Sequence, residues 1–133
     1  MNSNYDIGAI EDALWEAMKL AKVCPVIYAN RRPTTTAISA PAFVVLKSVT
    51  EIVDKTAYGR NICRAEIYTK ELSGVKDSAK MSLYSKKIMA ALPIITDQYE
   101  FTYLSNIPLG LDGTGYDVDA ININVLIKYN ETI

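Results

Sequence analysis

An α+β fold is predicted by two periodicities in one chain. Apolar residues recur at helical spacing in residues 7–21 and 81–92, and at strand spacing in 61–70 and 116–129. Prolines and glycines punctuate the stretches between them. The expected order is α-β-β-β-α-β-β. It gives a four- to five-stranded, mostly antiparallel sheet with a long β-hairpin and two packed helices. A chain of 133 residues, half of them hydrophobic, has the size and apolar content of one domain spanning 1–133.

Each element has its own argument. Residues 3–22 read as a helix whose inner face carries Ile7, Ile10, Leu14, Ala17, Met18 and Ala21. Ser3 with Asp6 resembles a capping box, and Gly8 weakens the first turn, so the start can lie later. Trp15 falls beside the inner stripe, at the edge of the core or against another subunit. "CPVIY" is a short strand, and a polar loop bracketed by prolines follows it, carrying Arg31 and Arg32. Phe43–Val49 is a continuous apolar run, as in a strand buried on both faces. "TEIVDKTAYGRN" then turns the chain, at Asp54-Lys55 or at Tyr58-Gly59. Its apolar residues Ile52, Val53 and Tyr58 have no evident core position. The hairpin either projects to meet a partner or folds back on its own sheet. On the return strand Cys63, Ala65, Ile67 and Thr69 face the core, and Arg64, Glu66, Tyr68 and Lys70 face away.

The second helix is expected to start near Ser73–Val75 and to stop at Pro93, with Met81, Tyr84, Ile88 and Leu92 inward. "QYEFTYL" is the next strand, with Tyr99, Phe101 and Tyr103 on one face. "SNIPLGLDGTG" reads as a loop rich in turn residues. In the closing strand Ile121, Ile123, Val125, Ile127 and Tyr129 face in.

Composition excludes whole classes of chemistry. There is no histidine, so His-based triads, Cys-His pairs and His-built metal sites are ruled out. The charge is balanced, 14 basic against 15 acidic residues, which gives no electrostatic case for nucleic acid or an anionic membrane. No apolar run is long enough to span a bilayer, and "MNSNYD" lacks the pattern of a signal peptide. Cys24 and Cys63 are expected to be free thiols, Cys63 as a small core filler. "GLDGTG" precedes a strand, not a helix, and so is no dinucleotide loop. Asp112, Asp117 and Asp119 lack calcium-loop spacing and read as a turn with a strand edge kept soluble by acids. Asn130 opens an Asn-x-Thr pattern with no export route to give it meaning. A carboxylate pair would have to come from Glu66 and Glu100, and their spacing does not bring them together. The residues nominate no catalytic, cofactor-binding or metal site.

The pieces "PVIYANRRP", "APAFVVLKSV", "NICRAEIYTKE" and "AKMSLYSKKIMAAL", in this order, resemble the tail-terminator and tail-completion proteins of tailed bacteriophages. That family belongs to a wider group of neck and connector ring subunits. The chain departs from the pattern in its long 105–114 loop and its extended "TEIVDKTAYGR" hairpin. The resemblance covers nearly the whole chain and implies a single tail-terminator-like domain. It implies a virion structural protein assembled in the host cytoplasm, without enzymatic activity or cofactor. It implies a homo-oligomeric ring, six-fold or twelve-fold, that ends the tail or joins head to tail. Partners would be neighbouring neck or tail proteins, with no membrane and no sequence-specific nucleic acid. Trp15, Ile52, Val53 and Tyr58 are then the candidate subunit contacts. The alternative is a small ligand-binding or accessory α+β module without catalysis, using the Asp112–Asp119 turn.

Overall fold

The structure, a computed structural model, describes residues 2–30 and 40–129. Arg31, Arg32 and Asn130 therefore lie outside the described residues. The element order is α1 (Ile7–Leu20), β1 (Ile27–Ala29), β2 (Ala42–Ser48), β3 (Val53–Asp54), β4 (Tyr58–Lys70), α2 (Ser78–Ala91), β5 (Ile94–Ile95), β6 (Tyr99–Leu111) and β7 (Tyr116–Lys128). The α+β class holds. The strand count does not: the described residues form seven strands in one sheet, where four to five were expected. The order is accordingly α-β-β-β-β-α-β-β-β. The two additional strands, β3 and β5, are two residues each, too short to show a period in sequence.

The sheet runs β1-β2-β4-β7-β6-β5, with β3 also paired to β4. Only β1 and β2 are parallel; every other pair is antiparallel. At its centre β4 and β7 pair without a break from Tyr58↔Lys128 to Lys70↔Tyr116. That register puts Cys63 opposite Ile123 and Ala65 opposite Ile121 on one face. Both helices pack on that face. Ile10, Leu14 and Met18 of α1 and Met81 and Ile88 of α2 join these strand residues, with Val44, Leu46, Phe101, Val125 and Ile127, in the main core.

The helix ends are set by side-chain caps. Asp6 is the N-cap of α1, its carboxylate accepting from the Ala9 amide at 3.2 Å. The helix therefore starts at Ile7 and not at residue 3. Asp77 caps α2 in the same way through the Lys80 amide at 3.1 Å. The expected start at Ser73–Val75 is corrected by the turn there. Ser73 and Gly74 both have positive φ, and Leu72 and Val75 bridge across them. Tyr84 and Leu92 of the predicted inner stripe are half-buried against the core.

The largest correction concerns 105–111. These residues are no loop, because β6 continues to Leu111, paired with β7 apart from two bulges; only 112–115 form the expected turn. Its turn residues sit where a ladder tolerates them. Gly110 has φ +80° at a bulge, and Pro108 lies where β6 has a partner on one side only. Tyr129, expected to face inward, is 48% exposed. Residues Tyr116, Val118 and Ala120 of β7 are buried instead, on the face away from the helices. There Tyr116 joins Phe43 and Val45 in a second small core. The Phe43 ring stacks on Tyr68 at 4.5 Å and meets Tyr28 and Tyr116 edge-on. Because β2 serves both cores, its apolar run does have two buried faces, as expected.

Candidate functional site

Beyond the aromatic cluster, the helix-free face of the sheet is polar. Lys47 pairs with the buried carboxylate of Glu66 at 3.1 Å, and the Tyr68 hydroxyl donates to Glu66 as well. One step along, Arg64 donates to the Asn122 carbonyl oxygen at 2.9 Å, and Asn122 donates on to Ser105. Further still, Arg60 donates to Asn124 at 2.8 Å. These cross-strand links tie β2, β4, β7 and β6 into one surface. Both arginines are thus matched to neutral amides, which use only part of each guanidinium's five donors.

The β3–β4 hairpin turns at Lys55–Ala57, next to the expected Asp54-Lys55 point. It is held at its base. The Tyr5 ring lies over Gly59, and its hydroxyl donates to Asp54 at 2.7 Å. That bond holds the Asp54 carboxyl below the usual range, while loss of hydration and then Asp54 itself push the Tyr5 phenol up. The N-terminal arm is fixed in turn by Asn2 and Asn4, both donating to the Lys128 carbonyl, and by Tyr99 donating to the Asn4 carbonyl. Of the four predicted contact residues, three sit here. Ile52 is half-buried against the main core, Val53 is 39% exposed, and Tyr58 is half-buried. Beside them lies an open cleft of about 370 Å³ between Glu51, Lys55 and Arg60.

Trp15, the fourth, is placed elsewhere. Its indole N–H donates to the Ile27 carbonyl at 3.0 Å, and the Lys19 ammonium sits 4.6 Å from its ring centre. Together with Pro25 and Val26 it walls a groove of about 260 Å³ between α1 and β1.

None of these places carries reactive chemistry. Burial, with Glu11 nearby, pushes the Cys63 thiol up to about 12, and burial raises Cys24 too. Neither thiol is poised as a nucleophile. The Asp112 carboxylate takes the Thr114 amide and hydroxyl and the Tyr116 amide, so it builds the turn. Asp119 is clasped by Lys76 at 3.0 Å. Among the described residues no group of three or more cysteines and carboxylates is placed to hold a metal. Glu66 lies opposite Ala120 and Glu100 opposite Leu126. That is six residues along β7, about 20 Å, so they form no catalytic pair.

One surface was not seen in the sequence. From Tyr103 to Leu111, β6 is an outer strand lined with exposed apolar side chains: Tyr103, Leu104, Ile107, Leu109 and Leu111. Reading this stretch as a loop hid it. The available signal was the recurrence of leucine and isoleucine with no charge between Glu100 and Asp112.

No protein-family model matches the chain, and no curated protein is similar in sequence. Among solved structures, the fold is similar to a chain described as "Virion of native gene transfer agent (GTA) particle". The identity is 12%, the TM-score is 0.69, and the match covers 93% of this chain and 98% of that one.

Proposed function

We propose that this chain is a phage-type virion structural protein. In finer terms it is a ring-forming subunit of the neck or tail that ends the tail or joins it to the head. The observation that carries the reading is the fold shared, over nearly the full length of both chains, with a component of a gene transfer agent virion. The surface agrees with it. The described residues offer open faces and edges for protein contact, and no assembled catalytic group. In this reading the protein works without cofactor, is built into the particle in the host cytoplasm, and meets neighbouring neck or tail proteins. Trp15, Ile52, Val53 and Tyr58 serve as contacts with sister subunits or stacked neighbours.

The test is native mass spectrometry over a concentration series, backed by negative-stain imaging and by mixing with tail tubes. A closed ring of six or twelve subunits, or density on one end of a tube, is the expected result. A stable dimer with no affinity for tubes overturns the proposal. Val53→Asp is the cleanest probe of the hairpin contact, because Val53 is exposed whereas Ile52 is packed on the core. The variant should melt like the wild type and lose tube-end binding.

A further inference from the structure

We infer that the N-terminal arm is a strut for the β3–β4 hairpin, with Tyr5 as a positioning residue that fixes the hairpin tip ahead of protein contact. The inference rests on the reading that this hairpin meets a sister subunit or neighbour, and it says what prepares the hairpin for that contact. The starting observation is strain at the tip. Thr56 has φ +76°, in the left-handed region, where a β-branched residue is a genuine outlier. Its side chain is exposed, so burial does not offset the strain. Strain of this kind persists only where the surroundings over-determine the backbone, and it gathers at functional places.

One carboxylate oxygen links that strained residue to the arm. Oδ1 of Asp54 accepts the Thr56 amide at 3.0 Å and the Tyr5 hydroxyl at 2.7 Å. The first bond folds the tip, and the second fixes the carboxylate that folds it. The hairpin's own means are slight. β3 adds two ladder pairs, Val53↔Arg60 and Asp54↔Gly59, and the Lys55 amide closes the turn on the Tyr58 carbonyl at 2.8 Å. Residues 53–57 are all exposed. A segment with so few buried contacts opens easily unless something else holds it.

The arm, by contrast, is anchored. Asn2 and Asn4 donate to the carbonyl of Lys128, the last residue of β7, and the hydroxyl of Tyr99, the first residue of β6, donates to the Asn4 carbonyl. The Tyr5 ring packs against the main core. The arm thus carries the rigidity of the two long strands out to the tip. Gly59 completes the fit. Its φ is outside the left-handed region, so its conformation does not call for glycine, but the Tyr5 ring fills the space a Cβ would need. Val53, the exposed contact residue, directly precedes the Asp54 that Tyr5 holds. Fixing a contact segment beforehand removes its ordering cost from binding.

Three variants test the strut. Tyr5→Phe keeps the ring and removes the hydroxyl, Asp54→Ala removes the shared oxygen, and Asp54→Asn keeps an oxygen that can accept both bonds. Amide hydrogen exchange followed by NMR reads the tip with no partner present. In Tyr5→Phe the Lys55 and Thr56 amides should exchange about 10-fold faster, with the paired amides of residues 62–69 unchanged. Asp54→Ala should do at least as much, and Asp54→Asn should stay within about 2-fold of the wild type. Self-association and tube-end binding, measured well below the melting transition, should weaken about 10-fold in Tyr5→Phe and recover in Asp54→Asn. Unchanged tip exchange in Tyr5→Phe overturns the inference. So does exchange that rises evenly over the whole sheet, which is a loss of fold and not of position. If Val53→Asp abolishes binding while Tyr5→Phe binds like the wild type, the strut alone falls and the hairpin contact stands. If Val53→Asp binds like the wild type, or the wild type neither self-associates nor binds tube ends, the contact reading falls and the positioning role falls with it.

Discussion

Thr69 carries a hydroxyl into the core. The residue is fully buried, and among the described residues neither its Oγ1 nor the Oδ2 of Asp117, directly opposite on β7, has a hydrogen-bond partner. An unsatisfied buried polar atom costs about 1–3 kcal/mol, so Thr69→Val, which keeps the shape, should raise stability by about 1 kcal/mol in urea unfolding. Glu11 is the opposite case. It is buried, and its carboxylate accepts from the Ser48 amide at 2.9 Å where β2 ends. Glu11→Ala should cost about 1–3 kcal/mol, and Glu11→Gln less, because the amide oxygen can still accept. Cys63 sets a limit at high pH. Its folded value, about 12, lies above the ordinary value of 9.0, so its contribution is fully present below pH 9 and is lost as pH rises through 12. Stability measured against pH should fall over that window, and Cys63→Ala should flatten the fall. Neither cysteine should react with a thiol reagent at pH 8 until denaturant is added.

At the scale of elements, the N-terminal arm and the β3–β4 hairpin behave as one unit. A Cβ on Gly59 would run into the Tyr5 ring, so Gly59→Ala must push that ring off Asp54. Tyr5→Phe removes the same bond directly. Each should lower the melting temperature, and the double variant little more than the worse single one, a coupling that a double-mutant cycle reads out. This unit also shows where sequence reading stops. The strand character of 58–70 was plain from alternation, but nothing local said that Tyr5 would pin its hairpin from more than fifty residues away. Likewise, Pro108 and Gly110 are honest turn signals. They were overruled because pairing with β7 outweighs local preference on an outer strand.

At the scale of the whole molecule, the sheet carries both helices on one face and leaves the other to the Phe43 cluster and the cross-strand polar links. By itself the sequence determined the α+β class, both helices, the core parity of β4 and β7, and the absence of histidine chemistry. Those properties follow from side-chain type and short-range periodicity, which are local. Only the tertiary structure decided that β6 runs to Leu111, that a second core forms around Phe43 on the far face, and that the apolar edge of β6 and the Trp15 groove lie towards opposite margins of one sheet. Each of these depends on which strand lies beside which. Pairing is settled by contacts between residues far apart in the chain, whose worth appears only once the sheet is assembled.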